Sequence, residues 1–166
     1  MTYLTMEPRD EADYFDAPAI PTVVVRVTDY PMAQMPQLFD RAFSALYPAL
    51  AREGIEVGGP AFSLHSRMPT ETADLEVGVP VVSALTHYLE VGEVTLLPST
   101  LPPGPVAVTS YHGGYEGLAG AWGDFMEAVG ASGRSPDLPF WEVYVSEPSP
   151  KADPATLRTD LYTSLR

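Results

Sequence analysis

Between Thr22 and Thr28 the chain reads TVVVRVT, a β-branched run that predicts a strand. The apolar period then lengthens. Met35, Leu38, Phe39, Ala42, Phe43, Leu46 and Leu50 recur at spacings of three and four, which predicts one apolar helix face over about Met32 to Glu53, with Gly54 as its stop. Pro48 lies inside this pattern, lacks an amide donor and crowds the carbonyl of Ser44, so a bend is expected near Tyr47. Two short alternating stretches, Gly58 to Ser66 and Ala73 to Val81, flank the turn-like RMPTET and predict a β-hairpin.

The second half follows the same order. Strand signals occur in EVTLLPS (Glu93 to Ser99) and PVAVTSYHG (Pro105 to Gly113), separated by the turn-forming LPPG. A helix fits Tyr115 to Val129, with Leu118, Ala119, Trp122, Phe125, Met126 and Val129 on one face. That stripe predicts Trp122 and Phe125 as core. A strand at Pro139 to Ser146, a polar connection EPSPKADPA and a last strand at Thr156 to Leu165 complete the chain. Each half thus reads strand, helix, strand, strand. The expected architecture is an α+β domain spanning residues 1–166, with two β-α-β-β repeats, the first about 22–81 and the second about 93–165. The repeats are related by a pseudo-two-fold axis, with antiparallel sheets, helices on one side and a ligand cleft between the halves. The residues before Thr22 are polar and Pro-punctuated, and predict only a leading segment.

Charge and cysteine content narrow the function classes. A net charge of −13, with scattered bases, argues against a nucleic-acid-binding face, which needs clustered Lys and Arg. The absence of cysteine removes disulfides, thiolate metal sites and cysteine nucleophiles. No apolar run approaches the roughly 20 residues of a membrane-spanning helix, and the acidic start is unlike a signal peptide, so a cytoplasmic protein without membrane contact is expected. The histidines, His65, His87 and His112, lack the short spacings of a zinc site, and neither a phosphate-binding glycine loop nor a G-x-S-x-G elbow is present. No metal and no cofactor is expected.

Two stretches carry candidate chemistry. In PFWEVYVSEP (Pro139 to Pro148), strand alternation puts Trp141, Val143 and Val145 on one face, the better core face, and Phe140, Glu142 and Tyr144 on the other. An acid between two aromatics suits a pocket for a flat or cationic molecule. It equally suits a wet face on an edge strand. In YHGGY (Tyr111 to Tyr115), His112 ends a strand, two glycines permit a tight turn, and Tyr115 begins a helix. His112 and Tyr115 there are candidates for proton transfer, against the alternative of a plain strand-to-helix turn with a surface His.

These stretches resemble the GyrI-like small-molecule-binding domain, also found as the effector domain of AraC-type and MerR-type multidrug regulators. ALYPALAREG with VGGPAFSLH, DLEVGVPV, LPPGPVAVTSYHGGYEGL, PFWEVYVSEP and TDLYTSL come in the family's order from about Thr22 onward, and HGGY and WEVY are the most specific. Gly114 stands where many relatives have proline. The resemblance implies the same two-repeat fold. It also implies that Glu142 points into an aromatic cleft that meets small hydrophobic, aromatic or cationic ligands, with Tyr144, Tyr115 and Tyr162 on the family's tyrosines. Phe140, Tyr111, His112 and Phe39 complete the expected ligand-binding set.

The residues before Thr22 are too few and too acidic for a helix-turn-helix, so a stand-alone member is expected. Such members resemble three types: binders that sense or sequester small molecules, hydrolases that open the cyclopropane of DNA-alkylating natural products, and inhibitors that contact DNA gyrase. Binding is the first reading. In the hydrolase reading Glu142 is the base and Tyr115 or Tyr144 donates to the developing phenolate. In the third, gyrase is the protein partner, and a separate regulator is the alternative one. The Pro- and Ala-rich composition, with arginine exceeding lysine eight to one, fits a high-GC bacterium of the kind that makes cytotoxic products, which raises the hydrolase reading and with it a part in self-resistance.

Overall fold

The computed structural model describes residues 3–5, 7–146 and 153–166. The chain forms β1 (Asp13–Ala17), β2 (Ile20–Pro31), α1 (Met35–Glu53), β3 (Phe62–His65), β4 (Thr72–Pro80), β5 (Leu89–Val91) and β6 (Val94–Leu101). It continues with β7 (Gly104–His112), α2 (Leu118–Ala131), β8 (Pro136–Tyr144) and β9 (Arg158–Leu165). Gly54 ends α1 in the left-handed conformation (φ 69°), where its amide reaches back to the helix, and α1 runs unbroken through Pro48. The polar connection 147–155 lies, over residues 147–152, outside the described residues.

Among the described residues nine strands form one antiparallel sheet in the order β1-β7-β9-β8-β3-β4-β2-β6-β5. The units β2-α1-β3-β4 and β7-α2-β8-β9 take matching places on either side of the β3–β8 pair, so the pseudo-two-fold relation passes through the centre of the sheet. Three strands differ from the sequence pattern, among them the short β5, which was not expected and pairs with β6. The stretch Glu93 to Ser99, expected beside Pro105 to Gly113, forms most of β6 and pairs with β2 and β5. Its Val94 and Leu96 are buried in the α1 core, and that burial holds it in the first half. The leading segment contributes β1, paired with β7. The five residues of β1 bury only Ala17 and leave Tyr14 and Phe15 half-buried against different clusters, too short a stretch for a strand period to show in the sequence.

Each helix covers its own half. On α1, Leu38, Ala42, Leu46 and Leu50 pack with Val23, Leu75, Val77 and Val79, and on α2, Phe125 and Val129 pack with Ala107 and Leu161. The opposite face of the sheet buries Val24, Phe62, Trp141, Val143 and Tyr162 beneath Tyr3 and Leu4. Because each helix lies over the outer strands of its half, β3 and β8 face the space between the helices. No helix among the described residues is long and apolar enough to cross a membrane.

Candidate functional site

Register determines which side chains reach that space. Ser63 pairs with Glu142 and His65 with Phe140. Residues opposite one another in an antiparallel pair share a face, so these four and Tyr144 form the floor between the helices. The floor opens into a cavity of about 1550 Å³, walled by Phe39, Phe43 and Tyr47 of α1 and by Leu118, Trp122 and Met126 of α2, with Tyr115 just before α2. That exceeds the roughly 300–1,000 Å³ of most small-molecule sites. A second hollow of about 160 Å³ lies beside the Arg26–Glu76 ion pair and is below the size of most small-molecule sites.

Glu142 sits half-buried on this floor. The indole N–H of Trp122 donates to its Oε2 at 2.7 Å, and the Tyr144 hydroxyl donates to its Oε1 at 2.8 Å. Ser63 Oγ lies 2.8 Å from the same Tyr144 hydroxyl. Rings crowd the site: Phe39 lies 5.8 Å from Tyr144, and Tyr115 is edge-on to it at 6.0 Å. Phe140 is held between the Trp122 ring, 4.9 Å away at 64°, and the His65 imidazole, parallel at 5.0 Å. Burial first, and then the Glu142 charge, push the Tyr144 hydroxyl well above its ordinary range, and the same causes raise Tyr115. Both phenols are therefore neutral donors at physiological pH.

His65 is the opposite case. Burial, followed by the nearby Arg67 guanidinium, pulls its pKa down to about 4, so the imidazole is neutral at pH 7. Between pH 6.5 and 4 the unfolded chain takes up a proton at this residue that the folded chain refuses, so folding stability falls as pH is lowered. Wild type is expected to lose about 2 kcal/mol from this residue between pH 7.5 and 5. His65→Phe keeps the stack on Phe140 and should remove that part of the slope in urea titrations. Parallel slopes for the two proteins would rule it out.

Of the residues singled out in the sequence, Glu142, Tyr144, Phe140, Tyr115 and Phe39 line the cavity together. Three do not. Tyr162 pairs with Trp141 and therefore shares its face; it is fully buried on the far side, its ring stacked on Trp141 at 5.5 Å. Tyr111 turns under the glycine loop, where its hydroxyl donates to the Gly114 carbonyl at 2.8 Å. A Cβ at Gly113, whose φ is 148°, would meet the Tyr111 ring at 2.9 Å, so this glycine serves the turn. His112 is exposed at the end of β7, opposite Arg158 of β9. Trp122, expected in the core, instead faces the cavity and holds the carboxylate. Ser63 and His65 were not singled out, although the alternation of FSLH puts both on one face of β3. Among the described residues no group of three or more His, Asp or Glu is placed to hold a metal ion.

A floor of paired strands between two helices, with an acid among aromatic rings, has clear relatives. The model of the GyrI-like small molecule binding domain matches residues 16–166. The chain belongs to this family. As a GyrI-like domain it superposes on the EcmrR C-terminal domain with a TM-score of 0.72 at 16% identity, covering 94% of this chain and 97% of that one. Against EcmrR in its DNA complex the TM-score is 0.69 at 17% identity, with 93% of this chain and 57% of that one covered. The chain therefore spans little more than half the length of that relative. A hydrolase from Listeria innocua matches with a TM-score of 0.67 at 11% identity over 96% of this chain and 94% of that one. SAV2435 bound to tetraphenylphosphonium matches at 0.59 and 11% over 94% of each. At these identities the likenesses establish the GyrI-like fold. No curated protein matches the chain.

Proposed function

We propose that this GyrI-like domain binds an organic cation bearing aromatic rings, with Glu142 as its counter-charge, to sense or sequester compounds of drug or natural-product type. One observation carries the reading. Glu142 is a carboxylate on the floor of an aromatic cavity, its two oxygens accept hydrogen bonds from uncharged donors, and among the described residues no cationic side chain pairs with it. A buried or half-buried charge needs a partner, and in a cavity of this size a ligand is the available one. Ring faces add about 0.5 to 2 kcal/mol each toward a cation. Three or four such contacts and one carboxylate suffice for micromolar binding, about −8 kcal/mol.

Wild type and Glu142→Gln are to be titrated with tetraphenylphosphonium, cationic dyes, neutral arenes of similar size and cyclopropane-bearing alkylators, following heat and product mass. The expected result is micromolar binding of the cations, weakened about 10- to 100-fold in the variant, with the neutral arenes unaffected and every compound recovered unchanged. Equal cation affinity in both proteins would sink the reading. A mass gain of one water on the alkylators, present in wild type and lost in the variant, would replace it with hydrolysis. Each carboxylate oxygen keeps a second acceptor position, and in that case Glu142 would use one to position the attacking water.

A further inference from the structure

We infer that the Phe39, Phe43 and Tyr47 face of α1 is an aryl-binding extension of the cleft, which makes the length of a ligand's rigid aryl arm a determinant of affinity. The inference rests on the reading of Glu142 as the cation's partner and adds the shape of the ligand.

Helix α1 carries two apolar stripes. Leu38, Ala42 and Leu46 are fully buried against the sheet. Phe39, Phe43 and Tyr47, each one residue further and so about 100° round the helix, form the second. Phe39 and Phe43 are half-buried and Tyr47 is 42% exposed. Phe39 and Phe43 pack at the margin of the core and also line the cavity, while Tyr47 one turn on is exposed, so aromatic surface runs from the helix's apolar stripe out toward solvent, and apolar surface left exposed in this way marks a binding surface.

Their rings form a continuous ladder. Tyr47 stacks on Phe43 with centroids 5.9 Å apart and 27° between the planes, and Phe43 meets Phe39 at 6.1 Å. Phe39 meets Tyr144 at 5.8 Å, and the Tyr144 hydroxyl is bonded to Glu142. At 1.5 Å per residue the helix rises about 12 Å from Phe39 to Tyr47. Gly59, Pro60, Ala61 and Ser146 line the same cavity and are small, which leaves its width open. The occupant that fits is a rod: a cationic head at Glu142 and a rigid arm of two or three rings linked end to end and lying along α1, able to meet the stacked Tyr47–Phe43 pair and the edge-on Phe39.

The test uses benzyltrimethylammonium, biphenylmethyltrimethylammonium and terphenylmethyltrimethylammonium, with decyltrimethylammonium as a flexible control, titrated calorimetrically into the full chain. Wild type is expected to bind about three- to ten-fold more tightly for each added ring, with a smaller gain from the decyl chain. Tyr47→Ala should erase the gain from the last ring and Phe43→Ala most of the gain from both, while Tyr47→Phe retains it. Tyr47 lies at the exposed end of the ladder, and Tyr47→Phe reports on the ring without removing it, so loss of fold cannot imitate the result. If lengthening gives nothing while benzyltrimethylammonium still binds through Glu142, the inference falls and the Glu142 reading stands. If the gain survives in both alanine variants, or the decyl chain matches the terphenyl, the inference also falls. If no cation binds, or binding ignores Glu142, both fall together.

Discussion

Gly78→Ala is expected to leave little folded protein. Gly78 lies in β4, with Val24 of β2 on one side and Phe62 of β3 on the other, near the middle of the nine-stranded sheet. A methyl group there would run into the carbonyl oxygen of Val23 and sit 2.8 Å from the Cα of Val24. Those are backbone atoms of a strand paired on both edges, with no rotamer through which to retreat. The expected loss exceeds about 4 kcal/mol, a large part of the 5–15 kcal/mol that holds an ordinary domain together. Yield of soluble protein, far-ultraviolet dichroism and the midpoint of urea unfolding report it. A wild-type midpoint would mean that β2 and β4 are not packed this closely. The position matters for the site because β4 also carries β3, which supplies Ser63 and His65 to the floor.

Trp141→Ala should cost about 3–5 kcal/mol. The side chain is fully buried, lies parallel to Tyr162 and packs with Phe62 and Val143 on the face away from the cavity. Removing it opens a hole that the paired strands and the stacked tyrosine fill poorly. Trp141→Phe keeps a ring against Tyr162 and should retain more than half of the lost stability. Under conditions where Trp141→Ala remains folded, its cation affinity should stay within a few-fold of wild type, because Trp141 and Glu142 point to opposite faces. A destabilisation below about 1 kcal/mol, measured by urea unfolding, would contradict the far-side core.

The division of Pro139 to Ser146 into two faces was legible from alternation alone. Trp141 and Val143 are in the core and Phe140, Glu142 and Tyr144 are on the other face, because successive side chains of any strand point oppositely whatever its neighbours. The periodicity of α1 and its glycine stop were equally local. Trp122 was not. It lies on the same helix stripe as Phe125, and spacing cannot say that Phe125 meets Ala107 and Leu161 while Trp122 overlooks an open floor. The apolar set on α1 likewise read as one face, whereas the sheet claims Leu38, Ala42 and Leu46 and leaves Phe39 and Phe43 to the cavity. Tyr162 was misplaced for a related reason. A resemblance at the end of the chain aligned a tyrosine without its register, and the pairing with Trp141 sends it to the far side.

The sequence by itself determined both helices and the longer strands, though not β1 or β5, and within each the direction in which its residues point, because helix and strand geometry convert spacing directly into direction. It also determined that two similar units follow one another. Only the tertiary structure decided which strands are neighbours, and therefore that β6 belongs beside β2 and that β3 meets β8 at the centre. That last pairing makes the floor: it sets Ser63 opposite Glu142, leaves both helices standing to either side, and brings Trp122 from one of them onto the carboxylate. Strand order follows from burying apolar surface over the whole chain at once, a non-local sum that no window of residues contains.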